Sequence, residues 1–97
     1  MSHTSIPPMR IGELVFDDVS YDARGDVLYL SIGSPRAAAD SEVSPEGHAI
    51  RLDAEGRVIG VTLVSPRLLL ERDGALTITL PSRERVDPEA LAAALAS

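Results

Sequence analysis

The sequence predicts an α+β fold, mainly an antiparallel β-sheet arranged as a meander of hairpins, with a short helix near residues 66–73 and a C-terminal helix near 87–96. Three features carry that prediction. The turn form D-x-x-G occurs twice between apolar runs, at Asp22-Ala23-Arg24-Gly25 and Asp53-Ala54-Glu55-Gly56, as hairpins require. Ala75 to Leu80, ALTITL, alternates and is rich in β-branched residues, which suits a pleated surface. Asp87-Pro88-Glu89 opens an alanine-rich end with a cap, a proline at the first helical position and an acid against the positive end of the dipole.

Residues 1–10 contain Pro7-Pro8 and few apolar groups, so they read as a flexible N-terminal arm preceding a single β-rich domain over 11–97. Glu13 to Asp22 reads as one long bent strand, and Val27 to Ile32 as its return. A left-handed Gly25 in the intervening turn sets Tyr21 opposite Val27 and Val19 opposite Tyr29. Ala37 to Val43 suits a short edge strand, where charges hinder unwanted pairing.

Ala49 to Ser65, AIRLDAEGRVIGVTLVS, is the longest apolar passage. Gly56 takes the left-handed position of a three-residue loop. The implied register pairs Leu52 with Val58 and Ile50 with Gly60 on one side, and Arg51 with Ile59 and Ala49 with Val61 on the other. Both faces of this hairpin, and both faces of the first, carry apolar side chains. Cover on each side is therefore expected, from a helix on one and a second subunit on the other.

Ser65 to Gly74 admits two readings. Ser65 as N-cap, Pro66 at the first position and Gly74 past the end favour a helix; a third hairpin closed at Arg72-Asp73-Gly74 would pair Leu70 with Leu76 and Leu68 with Ile78. The helix is preferred. Pro81 then ends the strand of Ala75 to Leu80. The last helix has only Val86, Leu91 and Leu95 for grip, so it covers a sheet edge weakly or lies against a partner.

Ninety-seven residues suit one core, and with 44% hydrophobic but 3% aromatic residues that core rests on Val, Ile, Leu and Ala. All nine cations are Arg, set singly among fifteen carboxylates for a net charge of -6. That balance repels phosphate and argues against nucleic-acid binding; it favours a basic protein as partner. Absence of cysteine excludes disulfides and thiolate sites and fits a reducing compartment, so a cytoplasmic location is expected. The start lacks a basic-then-apolar leader and no apolar run is long enough for a span, so no membrane role is expected.

Tyr21, Asp22, Asp26 and Tyr29 are the nearest approach to a chemical constellation, since two carboxylates around a turn can bind a cation or relay a proton. Turn chemistry is the stronger account, because Asp beside a tight turn accepts backbone N–H groups and Tyr suits a sheet surface. His3 and His48 have no companion at metal-ligand spacing, the serines sit beside prolines or at turns, and the glycines form no phosphate cradle. Arg24-Gly25-Asp26 matches an adhesion tripeptide but is explained by the turn. No catalytic residue, metal site or cofactor is expected.

YDARGDVLYLSIG followed by EVSPEGHAIRLDAEGRVIGVTLVS resembles the small bacterial proteins grouped as domain of unknown function 2283, over about Val19 to Ser65. The positions that carry it are Tyr21, Asp22, Asp26, Leu28, Tyr29, Asp53, Gly56 and Gly60. Where that family's pattern usually has acids, this chain has Arg51 and Thr62. The resemblance implies a small α+β or mainly β fold and no known reaction; some relatives resemble partners of small toxin-like proteins. The resulting expectation is a non-enzymatic interaction domain that homodimerises through an open sheet face, with an antitoxin-like role in view. The alternative is a small-ligand or metal-binding protein that uses Tyr21, Asp22, Asp26 and Tyr29.

Overall fold

A computed structural model describes residues 6–33 and 37–96. Its architecture is α+β and mostly strand, with antiparallel sheets and two helices. Residues 1–5 of the expected arm lie outside the described part. Met9 and Arg10, also assigned to that arm, instead belong to β1 (Met9–Ile11). Gly12 turns the chain at φ 59 and β2 (Leu14–Phe16) returns, pairing Met9 with Phe16. Alternation buries Met9, Ile11 and Phe16 almost completely while Arg10 and Val15 face out, and this burial is what draws the segment into the domain.

The strand expected from Glu13 to Asp22 is broken in two. The chain leaves β2 and enters a different sheet as β3 (Asp18–Asp22). Asp17 marks the break: its Oδ1 accepts the Gly33 N–H at 2.7 Å, tying the junction to the turn after β4 (Val27–Ser31). An acid that bonds a neighbouring backbone in this way competes with continued strand pairing.

The main sheet has five strands in the order β3, β4, β7, β6, β5, where β5 is Asp40–Val43, β6 is Ala49–Leu52 and β7 is Val58–Val64. Two hairpin units therefore meet along β4 and β7, and the connection after β4 carries the chain to the far edge. The turn around Gly56 forms as its sequence requires. Gly56 lies at φ 80, its N–H donates to Asp53 O at 3.0 Å, and the Asp53 N–H donates to Arg57 O at 2.9 Å.

Both expected registers shift by one residue. In β3–β4, Tyr21 meets Leu28 and Val19 meets Leu30, because the loop has four residues and Asp26, at φ 53, takes the left-handed position assigned to Gly25. In β6–β7, Leu52 meets Val58 as expected, but a bulge follows and Ile50 meets Val61, Arg51 meets Gly60 and Ala49 meets Thr62. The extra residue is Ile59, whose carbonyl accepts the Ile32 N–H at 3.0 Å. A bulge of this kind re-aims every side chain on one flank of it.

The helix reading of residues 66–73 holds: α1 spans Pro66–Asp73, closed by Gly74 at φ 74 with its N–H on Leu70 O at 2.8 Å. Leu76 is not paired with Leu70; β8 (Leu76–Thr79) pairs with β9 (Arg83–Val86), a strand not anticipated after Pro81. Asp87 then caps α2 (Pro88–Leu95), its carboxylate accepting Glu89 N–H at 3.2 Å. Leu91, Ala94 and Leu95 are buried, so α2 grips the core more firmly than its composition suggested.

One core results. Val19, Leu28, Leu30, Ile50, Val61 and Leu63 project from the inner face of the main sheet into a cluster with Met9, Ile11 and Phe16 of the first hairpin, Leu76, Ile78 and Val86 of the last, and Leu91, Ala94 and Leu95 of α2. The helices and both small hairpins thus pack on one side of the five-stranded sheet.

Candidate functional site

Period-two alternation sends Tyr21 to one face of the sheet and Asp22 and Tyr29 to the other, while Asp26 lies in the turn between β3 and β4. Tyr21 shares the inner side with Leu28 and Leu63. Its hydroxyl donates to Asp26 Oδ1 at 2.7 Å and accepts from Arg67 Nε at 3.3 Å, and the Arg67 guanidinium carbon lies 5.7 Å from the centre of the Tyr21 ring.

Asp26 reaches further. Its Oδ1 accepts the Arg67 N–H at 3.1 Å and its Oδ2 the Leu68 N–H at 3.2 Å, so this carboxylate from the β3–β4 turn caps α1. Ser65, expected to be the N-cap, sits at φ 56 and makes no side-chain cap bond. Its own N–H donates to Asp26 O at 2.9 Å, which seats the start of the helix on the turn. Asp26 also places a negative charge at the positive end of the helix dipole.

Arg67 completes the cluster by donating from Nη2 to Leu95 O at 2.9 Å, a cation at the C-terminal end of α2. Burial alone would raise the Asp26 carboxyl, yet the Tyr21 hydroxyl, the two backbone N–H groups and the Arg67 charge outweigh it and hold the group below the usual carboxylate range. Burial raises the Tyr21 hydroxyl; the Arg67 bond opposes that rise and Asp26 reinforces it. The cluster is satisfied internally, and what it does is fasten α1 and α2 to the β3–β4 hairpin.

Asp22 and Tyr29 are elsewhere. Asp22 accepts the Arg24 N–H at 3.2 Å within its own turn. Tyr29 lies on the outer face, 47% exposed, in a row that runs Ser20, Tyr29, Thr62, Ala49, Val43 across the five strands. The neighbouring rows are Asp18, Ser31, Gly60, Arg51, Ser41 and, at the other end, Asp22, Val27, Val64.

On this outer face Val43 is 76% and Val64 43% exposed. Arg51 lies flat over Gly60: a Cβ there would stand 3.6 Å from both Cδ and Nη1 of Arg51, and 3.1 Å from Leu30 O. Asp18, Ser20, Tyr29, Ser31 and Arg51 line a depression of about 270 Å³. Gly60 is the small residue that lets a long cation cross the centre of the sheet. Sequence reasoning missed Arg51 and Asp18 as members of one patch because the bulge at Ile59 changes which residues share a row.

A second polar group surrounds His48. The ring is 1% exposed, its Nδ1 accepts the Val64 N–H at 3.0 Å, and its backbone N–H donates to Ser44 Oγ at 3.1 Å. The neutral ring therefore carries its hydrogen on Nε2, a buried atom with no protein partner among the described residues. Glu46 beside it is held by the Thr79 N–H at 3.1 Å and the Thr79 hydroxyl at 2.9 Å. Burial depresses the His48 pKa, against the charge of Glu46. Among the described residues no group of three or more His, Cys, Asp or Glu side chains is placed to hold a metal ion, and no helix is long and apolar enough to cross a membrane.

Fold and surface together define a small α+β domain whose five-stranded sheet is packed on one side and open on the other. Residues 18–65 match the family model described as Protein of unknown function (DUF2283), as the sequence resemblance implied. The matched segment is just short of half the chain and coincides with the five-stranded sheet, from the first residue of β3 to the residue before α1. No match to a curated protein or to a solved structure is found.

Proposed function

We propose that the protein is a non-enzymatic interaction domain that homodimerises through the open face of its five-stranded sheet. The observation that carries this reading is the exposure of Tyr29, Val43 and Val64 on one continuous surface opposite the core. Apolar groups gathered on one face are the mark of an association surface, whereas scattered ones are not. Five strands spaced by about 4.8 Å give a small area for such a contact.

Light scattering over a concentration series tests it. A mass approaching twice 10.3 kDa at about 100 μM, falling on dilution, supports the reading; a constant mass of one protomer overturns it.

A second reading, in which a basic protein binds in an antitoxin-like manner, is favoured by the edge strand β5. Asp40, Ser41, Glu42 and Val43 are all exposed and the outer edge of β5 pairs with no strand among the described residues, so a cationic strand can add there. Co-purification with a basic protein that is lost on Asp40→Lys/Glu42→Lys supports it; retention in that variant contradicts it. The small-ligand reading has less support, because Tyr21 and Asp26 are engaged with α1 while Tyr29 faces the other side of the sheet.

A further inference from the structure

We propose that His48 is an acid-released latch at the end of the main sheet: when its ring takes up a proton it turns from Val64 toward the cavity beside it, and the last rung between β6 and β7 opens. β6 begins at Ala49, opposite Thr62, so no residue of that strand faces Val64. The His48 ring supplies the missing acceptor, with Nδ1 on the Val64 N–H at 3.0 Å. This rung closes the sheet just before the chain enters α1 at Pro66.

Protonation is incompatible with that rung. An imidazolium carries a hydrogen on both nitrogens and has no acceptor, so Nδ1–H and the Val64 N–H would point at each other. The His48 backbone is fixed on both sides by Ser44: its N–H donates to Ser44 Oγ at 3.1 Å and its O accepts the Ser44 N–H at 2.7 Å. The side chain is therefore what turns. Val64 is 43% exposed, so water can take over its freed N–H. Ser65, whose N–H donates to Asp26 O at 2.9 Å, keeps the β4 side of the junction closed.

The space for the turned ring is a cavity of about 230 Å³ that His48 lines together with Glu46 of its own turn and Arg72 and Asp73 of α1. Those are the charged groups that face it; the other lining residues, among them Leu76 and Thr77 of β8, carry no charge, and neither does Val64. Two carboxylates against one guanidinium, itself forked onto Asp73 at 3.1 Å, leave the wall net negative. A cation is favoured there. It is disfavoured in the enclosed position on Val64, where Nε2 has no protein partner among the described residues. The ring thus has one position for each charge state.

Nuclear magnetic resonance of the isotope-labelled chain, titrated from about pH 8 to about 4, tests the latch. At the start a scalar coupling across the hydrogen bond should join the Val64 and His48 Nδ1 nitrogens. As the ring titrates, below 6.5, that coupling should vanish and the Val64 amide shift should move with the same midpoint, while the Ser65 amide stays in place. A ring that is protonated in the folded chain with the coupling intact overturns the proposal, as does a ring that takes up its proton only when the whole chain unfolds. Glu46→Gln and, separately, the exposed Asp73→Asn should each lower the midpoint by about half a pH unit or more; an unchanged midpoint in both overturns the cavity as the ring's second position. His48→Asn should show no step at the Val64 amide over the same range, and a step that persists there overturns His48 as its source.

Discussion

Asp26 caps a helix whose second residue, Arg67, lies 41 positions further along the chain: the carboxylate accepts the Arg67 N–H at 3.1 Å. Tyr21 and the Arg67 side chain close around the same group. The first turn of α1 is therefore stabilised by tertiary structure, and the residue beside it that has the usual capping chemistry contributes no side-chain bond.

Removing that carboxylate exposes the dependence. Asp26→Ala is expected to lower unfolding stability by about 1–3 kcal/mol, because it deletes a cap and leaves the Tyr21 hydroxyl without its acceptor. Asp26→Asn retains one acceptor oxygen and should cost less. Ser65→Ala should change stability by less than about 0.5 kcal/mol, in the range of a substitution away from such features. Urea denaturation of the three variants measures all of this, and a larger loss in Ser65→Ala than in Asp26→Ala would contradict the cap assignment.

The same carboxylate has a pH signature. Its folded pKa lies below the unfolded value, so the stability it contributes is fully present above about 3.9 and is lost as pH falls through the folded value. The stability difference between the natural chain and Asp26→Asn should be constant from neutral pH to about 5 and shrink below about 4. A difference that stays constant at acid pH would show that charge has no part in the cap.

His48 acts in a higher pH window. Burial holds its folded pKa below 6.5, so below that value the unfolded chain binds a proton that the folded chain refuses. Stability is full above about 6.5 and falls with pH until the folded value is reached. Glu46, Arg72 and Asp73 line the same cavity and set the local charge. His48→Asn preserves an acceptor for the Val64 N–H but cannot titrate, so its stability should lack this slope below about pH 6.5. Equal slopes in the two proteins would contradict the assignment.

Gly60 is predicted to tolerate no side chain cheaply. Gly60→Ala places a Cβ 3.1 Å from Leu30 O, tighter than ordinary contact, while the Arg51 side chain at 3.6 Å is at ordinary contact distance. Overpacking of this kind costs about 1–3 kcal/mol. Denaturation of Gly60→Ala measures it, and an unchanged midpoint would mean that the backbone at Leu30 gives way without cost.

Local chemistry made much of the fold legible. Asp53 to Gly56 specifies its turn through bonds within five residues, Pro66 and Gly74 bracket α1, and Asp87-Pro88 starts α2. What stayed hidden depends on distant partners. Asp17 ends a strand by bonding Gly33, Asp26 displaces Gly25 from the left-handed position while capping α1, and Ile59 bulges where its carbonyl meets Ile32. β1 and β9 are short, and they pack against each other although they lie near opposite ends of the chain.

The site followed the same rule. The hairpin residues Tyr21, Asp22, Asp26 and Tyr29 are legible as a cluster along the chain, but strand alternation and a one-residue register shift send Tyr29 to the opposite face. Arg51 and Asp18 become neighbours of Tyr29 only through strand order.

The most direct measurement is sedimentation of the natural chain beside Tyr29→Arg, a change at an exposed outer-face position that leaves the core untouched. The natural chain should sediment as a dimer at about 100 μM, and the variant as a monomer with an unchanged melting temperature. A variant that still sediments as a dimer would contradict the assignment of the open face as the surface through which two copies meet.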